Sequence, residues 1–427
     1  MKDKEALSTE SYKGVRDFYP NDWAQLQAVF DTIRKTLVLY GYEEYNASIL
    51  ESAELYESKT SEEIVNEQTF TFTDRGDRRV TLRPEMTPTL ARMVAGKKHE
   101  LVFPVRWFNI GNRFRYERPQ KGRLRDFFQV DVDLIGIPDM KADGEIITIA
   151  SSLIKAFGAF EGDFSIRINS RSLLNGATEA LGYSEEEAKS YLQLLDRKAK
   201  LAPEAFEEAR APFRKDGKDA LELIEAGGNT AVDDEKAKLD ALIKSFEERG
   251  MNNVVFDASI VRGFLYYTGT VFEVYDTSPE NNRALFGGGR YDNLLSLFGG
   301  DSIPAIGFAF GDVAFLDFLT THGYAPNASS APLIFLGTPS ESDIPAAQEF
   351  ATTLREEGGF SVLVNVMDKK LGDQVQEAVK RDIPYFIAYG ENEAATGMLK
   401  LKSLNESSEK EMTAAELLIE LGRSDRS

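Results

Sequence analysis

Cysteine is absent from all 427 residues, and histidine occurs only twice. Without thiols there is no disulfide, no thiolate nucleophile and no cysteine-ligated metal; the chain suits a reducing compartment, and a cytoplasmic location is the expectation. His99 stands in "GKKHE" and His322 in the polar "THGYAPNASSAP", each without the partners that a triad or a metal cage needs. No protein-held metal is therefore expected. Long apolar runs are missing as well. The opening "MKDKEALSTESYKGVRDFYP" has no signal-like apolar stretch, and the most apolar segment, "IPAIGFAFGDVAFLDFL", is broken by Asp312 and Asp317. Neither a leader nor a membrane span is expected. Positive charge is scarce: 50 Lys and Arg against 70 Asp and Glu leave a net charge of -20, so any polyanion must be met locally rather than by the whole surface. Nucleotide-binding glycine loops are lacking too. "ARMVAGKK" misses the first glycine and the hydroxyl of a P-loop, and Gly287 to Gly289 lie in a strand pattern that does not match GxGxxG.

What is present is ample core material: 42% hydrophobic and 11% aromatic residues, in a length that favours two or three domains. Leu26, Val29, Phe30, Ile33, Leu37 and Tyr40 recur at helical spacing, which predicts an amphipathic helix over 22–40, with Asp22 and Gln25 as a capping box and Gly41 as its stop. "RRVTLRPEMTPTLARMVA" reads as a strand, a corner and a helix from Pro88 capped by Thr87. "LVFPVRWFNIGNRFRYER" and "DFFQVDVDLIGI" read as two strands flanking a loop. From about 170 to 250 the chain becomes charged and helical, an insertion in an α+β body. Strand patterns return with "NNVVFDASIVRGFLYYTGTVFEVYD" and "ALFGGGRYDNLLSLFGG". Beyond a polar linker, "PLIFLG", "SVLVNV", "IPYFIAYG" and "MLKLKSL" alternate with helices near 343–357 and 372–380 and a last helix opened by Thr413 with Glu416 and closed by Gly422. That tail is expected to be a separate α/β domain of right-handed βαβ units.

Against the acidic background, Arg113, Arg115, Arg118, Lys121, Arg123 and Arg125 crowd one loop in and beside "FRYERPQKGRLRDFF". Arginine forks match phosphate and carboxylate, and period two places Arg115 with Glu117 on one face and Arg123 with Arg125 on another. Phosphoryl chemistry needs such a clamp; a solvated hairpin tip carries the same charges equally well. Arg262, ahead of an aromatic strand run, fits either a functional site or a buried structural ion pair. Glu85 at the Arg83-Pro84 corner and the alternating Asp131 and Asp133 suit a cationic or hydrogen-bonding substrate, or are exposed strand-edge charges.

"GVRDFYP", "LRPEMTPTLARM", "FRYERPQKGRLRDFFQ", "VRGFLYYTGTVFE", "GGGRYDNL" and "IPAIGFAFG" stand in the order found in histidyl-tRNA synthetases. The tail resembles the anticodon-binding domain shared with prolyl, threonyl and glycyl relatives. This resemblance spans nearly the whole chain. It implies a class II antiparallel-sheet catalytic core over 1–170 and 251–320, a helical insertion over 171–250, a linker over 321–331 and an α/β anticodon-binding domain over 332–427. It also implies a ligase that joins histidine and ATP into histidyl-adenylate and passes the histidyl group to tRNA(His), as a homodimer through its first helix. Mg2+ accompanies ATP in that scheme. A histidine-sensing regulatory paralogue of ATP phosphoribosyltransferase is the alternative on the same fold, but such paralogues generally lack the tail and lose catalytic arginines.

By the same resemblance Arg115 and Arg262 are catalytic, meeting at the α-phosphate, and Arg115, Glu117 and Arg123 bind ATP. Glu85, Thr87 and Gln129 match positions that hold the α-amino group of histidine. Asp133 and Tyr267 match those that meet its imidazole, with Arg262, Tyr266 and Tyr291 completing the pocket. Basic contacts to tRNA are expected from "RKAK" at 197–200 and from Lys369 with Lys370. Three positions depart from the family pattern. Asp133 replaces a longer Glu, Leu265 replaces an acid, and Ala314 stands where an arginine usually meets the γ-phosphate, which shifts that load to Arg123 and Mg2+.

Overall fold

The computed structural model describes residues 7–57, 68–118, 122–198, 201–262, 266–279, 281 and 284–424. Lys121, Leu265 and the end of the "RKAK" string lie outside these. The chain divides into two compact units, one of residues 1–17 and 28–326, the other of 18–27 and 327–427.

The first unit is built on β1 (Glu43–Glu44), β2 (Leu50–Ser52), β3 (Phe70–Thr73), β4 (Arg79–Leu82), β5 (Val105–Phe114), β6 (Asp126–Ile135), β7 (Phe164–Ser170), β8 (Val254–Phe256), β9 (Thr270–Asp276), β10 (Ala284–Arg290) and β11 (Ala305–Gly311). Eight of them form one sheet in the order β1-β5-β6-β11-β10-β9-β7-β8, and β2-β4-β3 form a smaller one. Only the outer pairs β1–β5 and β7–β8 of the large sheet run parallel; every inner pair is antiparallel. The two strands predicted around the basic loop are β5 and β6, paired in continuous register from Val105–Ile135 to Phe114–Asp126.

Helix α1 (Pro20–Leu39) buries Leu26, Val29, Phe30, Ile33 and Leu37 as its spacing predicts, while Tyr40 falls past its end and is exposed. It starts two residues earlier than expected, so Asp22 lies inside the first turn and cannot cap it. Gly41 stops it in the left-handed region at φ 77°. After the short α2 (Glu54–Glu57), α3 (Thr87–Lys97) is flanked by Met86 rather than capped by Thr87, whose hydroxyl is engaged by Tyr266 instead. Helix α4 (Lys141–Lys155) buries Ile146, Ile147, Ile149, Ala150, Leu153 and Ile154 and packs along β6 and β11. Between β7 and β8, where an insertion was expected, the described residues form the α-helices α5 (Arg171–Ala180), α6 (Glu185–Asp196), α7 (Pro203–Arg210), α8 (Ala220–Ala226) and α9 (Thr230–Glu247). Helix α10 (Asp312–Thr321) follows β11 directly.

The second unit carries β12 (Ile334–Gly337), α11 (Ile344–Gly358), β13 (Val362–Val364), α12 (Leu371–Lys380), β14 (Tyr385–Ala388), α13 (Glu391–Thr396), β15 (Met398–Ser403), β16 (Ser408–Thr413) and α14 (Ala414–Ser424). Its sheet runs β13-β12-β14-β15-β16, parallel among the first three and antiparallel thereafter. The repeated βαβ expectation therefore holds for half of it. Strand β16, "SEKEMT", escapes sequence reading because its outer positions are charged and exposed and only Met412 is buried. Thr413 and Glu416 form the expected reciprocal cap, with Glu416 accepting from the Thr413 backbone N–H at 2.8 Å. Gly422 sits within α14 and does not end it.

Candidate active site

Strand β6 organises the site through its two-residue period. Val130, Val132 and Leu134 are buried apolar residues, whereas Phe127, Gln129, Asp131 and Asp133 line a cavity of about 260 Å³. Polar side chains have room there because the strand alongside carries almost nothing: Gly307, Ala309 and Gly311 of β11 stand in register with Asp133, Asp131 and Gln129. A Cβ on Gly307 would overlap Asp133 Oδ1. Next in the sheet, Gly287 and Gly289 of β10 lie opposite Ala309 and Gly307 and extend this floor of small residues.

One end of the cavity is acidic. Asp133 accepts from the Tyr291 hydroxyl at 2.5 Å, and burial pushes its carboxyl up to about 8, with nearby Asp131 adding to the shift. Asp131 is held differently, between the guanidinium of fully buried Arg113 at 2.6 Å and the Gln129 amide at 2.6 Å. Both aspartates are interior groups of a central strand, which removes the strand-edge alternative. Glu85, buried at the corner before α3, accepts from the Tyr266 hydroxyl at 3.1 Å. Tyr266, Tyr267 and Tyr291 pack edge to face around this end, and burial raises all three phenols above their ordinary range.

The other end is cationic. Arg115 leaves β5 just beyond Phe114, donates Nε to the Pro84 carbonyl at 2.9 Å and lies over the Phe127 ring at 5.3 Å. Its two terminal nitrogens make no hydrogen bond among the described residues. Glu117 follows on the same side and accepts from Arg123 at 3.1 Å; Arg123 remains half-exposed. Arg262 arrives from the opposite side of the β6–β11 pair. Glu273 of β9 takes its Nη1 at 2.9 Å, and the Gly287 carbonyl of β10 takes Nη2 at 3.3 Å. Burial opposes the charge of Arg262, but Tyr267 and Glu273 more than restore it and raise its pKa. It is thus an ion-pair residue and a cavity residue at once.

Every residue assigned from the sequence to catalysis, ATP or histidine lines this one cavity: Arg115, Glu117, Arg123 and Arg262 at the cationic end, Glu85, Thr87, Gln129, Asp133, Tyr266, Tyr267 and Tyr291 at the acidic end. The loop cations do not act together, however. Arg113 is a buried partner of Asp131, and Arg125 turns away onto the Tyr116 ring at 3.8 Å, so it shares no face with Arg123. Phe127, Leu285, Phe310 and Val313 also line the cavity and were not singled out by sequence; only the two-residue spacing of Phe127 from Gln129 signalled its side. Ala314 lines it too, at the start of α10. Among the described residues no group of three acidic or imidazole side chains forms a metal cage. His322 binds Asp276 at 2.8 Å, outside the cavity lining. The arrangement as a whole can hold an ammonium or imidazole at one end and phosphates at the other, with an apolar slot for a flat ring beside Phe127.

A family model described as histidyl-tRNA synthetase matches residues 14–313, and one described as an anticodon binding domain matches 333–423. A histidine–tRNA ligase of Leptospira biflexa is 39% identical over 94% of each chain, and one of Opitutus terrae is 36% identical over 92% of this chain and 94% of that protein. A crystal structure of histidyl-tRNA synthetase from Nostoc sp. PCC 7120 shares the fold, with a TM-score of 0.78 at 24% identity over 98% of this chain and 100% of the other. An apo structure from S. aureus does so at 0.74 and 22%, covering 97% and 100%.

Proposed function

This chain belongs to the histidyl-tRNA synthetase family, and from that premise we infer that it activates histidine with ATP, releasing pyrophosphate, and passes the histidyl group to the 3′ end of tRNA(His). The observation that carries the reading is the two-ended cavity, in which Arg115 and Arg262 approach from opposite sides of the β6–β11 pair. The histidine carboxylate is ionised at neutral pH, so no group on the protein has to take a proton before it attacks. Its obstacle is the negative charge on the α-phosphate. A carboxylate oxygen forms a bond to the α-phosphorus as the bond to the bridging oxygen breaks, and pyrophosphate leaves with the electron pair. Arg115 and Arg262, already fixed by Pro84, Glu273 and Gly287, neutralise charge on the phosphorus oxygens without reorganising. A tRNA ribose hydroxyl oxygen then attacks the mixed anhydride carbonyl and gives up its proton to a phosphate oxygen of the leaving group or to water, as the carbonyl C–O bond breaks and AMP departs with its electron pair.

Glu85, Thr87 and Gln129 bind the α-ammonium; Asp133 and Tyr267 pair with the imidazole nitrogens, and Tyr266 and Tyr291 brace Glu85 and Asp133. A ring without nitrogens would leave buried polar partners unpaired, which is the stronger kind of discrimination. Glu117, Arg123 and the slot beside Phe127 receive ATP, which enters as its Mg2+ complex. With Ala314 small and uncharged, the terminal phosphate relies on Arg123. Residues 1–170 and 251–320 act as the catalytic core around the insertion at 171–250, and 332–427, after a linker at 321–331, read the anticodon. A cytoplasmic homodimer joined through α1 completes the proposal, and light scattering showing a monomer at micromolar concentration would reject that part.

The decisive assay is histidine-dependent exchange of pyrophosphate into ATP. Equal rates with and without histidine overturn the reading. Charging of tRNA(His) separates the synthetase from a regulatory paralogue, which binds histidine and forms no aminoacyl-tRNA; the intact arginine pair and the matched anticodon-binding segment support the synthetase.

A further inference from the structure

Arg262 does not hold its position by its own backbone preference. It sits in the left-handed region at φ 62°, which favours glycine, and its Nε is buried with no hydrogen-bond partner among the described residues. Two residues outside the cavity lining steady it. Glu273 grips Nη1 through Oε1 at 2.9 Å, and its second oxygen accepts from the Tyr275 hydroxyl at 2.5 Å. Glu273 and Tyr275 share one face of β9 by period two.

The choice of partner is not obvious from the sheet. On β7, Arg167 stands directly in register with Glu273 and would be its natural cross-strand ion pair. It is drawn aside: its guanidinium stacks on the Tyr275 ring at 4.2 Å and reaches Asp257 at 3.4 Å. Tyr275 thus does two things at once, with its ring holding off the competing cation and its hydroxyl orienting the carboxylate. We propose that Glu273 and Tyr275 are positioning residues that aim Arg262 at the reacting phosphate, with Tyr275 acting only through Glu273. This rests on the activation reaction inferred above.

The test is pyrophosphate exchange by the full-length protein with Tyr275→Phe, Glu273→Gln and Arg262→Ala, and with Tyr275→Phe combined with Arg262→Ala. Tyr275→Phe keeps the ring under Arg167 and loses one hydrogen bond, so kcat falls roughly two- to tenfold while the histidine KM stays within about twofold. Glu273→Gln removes a bond to a charged group and lowers kcat roughly 10- to 100-fold. In the Arg262→Ala background the Tyr275 substitution changes the rate by less than about twofold, because the group it aims is gone. An equal loss in both backgrounds, an effect confined to the histidine KM, or a Tyr275→Phe rate equal to wild type overturns the proposal. Thermal melting of Tyr275→Phe within a few degrees of wild type accompanies the expected result; should that variant melt early, Glu273→Gln carries the same comparison. A wild-type protein without histidine-dependent exchange defeats the activation reading itself, and that outcome is seen before any variant is measured.

Discussion

Arg113 near the end of β5 and Arg115 just beyond it are two residues apart and do opposite work. Arg113 is fully buried and neutralises Asp131, so Arg113→Ala strands a carboxylate in the interior and is expected to cost about 3–5 kcal/mol in urea unfolding. Arg115→Ala exposes no buried charge. It should melt near the wild-type temperature while exchange falls about 10²- to 10³-fold, the loss of a transition-state donor. Asp133 gives a second separation, through pH. Its folded pKa of about 8 stands above the ordinary 3.8, so unfolding releases its proton anywhere between those values. Its contribution to stability is whole below about pH 4, falls by at most about 1.4 kcal/mol per pH unit, and is gone above about 8. Melting of the ligand-free protein between about pH 6 and 8 should therefore drop more steeply in wild type than in Asp133→Asn; parallel curves would mean that Asp133 is ionised throughout.

Helix α1, the β5–β6 pair and tail strands β12 to β15 were legible because their apolar residues recur at the spacing of the element they form. Element ends were less so. Asp22 has the right chemistry for a cap yet lies within the first turn of α1, whereas Ser184 before α6 forms a true capping box with Glu187. Ser184→Ala is expected to cost about 1 kcal/mol, and Asp22→Ala no more than a few tenths. Strand β16 and helix α13 went unseen, being short and mostly solvated, with little apolar pattern to read. The small-residue floor of β10 and β11 shows the reverse: "GGGR" and "GFAFG" were visible strings whose purpose appears only when the strands lie side by side. Gly307→Ala should raise the histidine KM at least about tenfold, because the new methyl displaces Asp133; an unchanged KM would place histidine elsewhere.

With a net charge of -20, the protein must bind tRNA through local cations working against its overall field. Lys369, one candidate from the sequence, is tied to Glu377 at 2.8 Å, which reduces its availability to phosphate. Affinity for tRNA(His) should fall steeply between about 50 and 200 mM salt, with a log–log slope that counts the phosphates contacted. Histidine-dependent exchange, which needs no tRNA, should change little over that range. A flat tRNA titration would show that recognition rests on base and shape contacts alone.

The sequence by itself named the residues now proposed to meet chemistry, since the motif strings carry them in order, and it determined the faces of the long elements, since periodicity is local. Tertiary structure decided how each charge is used. Whether an arginine is a buried counter-ion, a stacked surface group or a free donor depends on which strand lies beside it, and a chain read in order does not say that Glu273 of β9 would pass over its neighbour Arg167 to hold Arg262. Burial and partner choice are properties of the assembled sheet, and they alone separate Arg113 from Arg115.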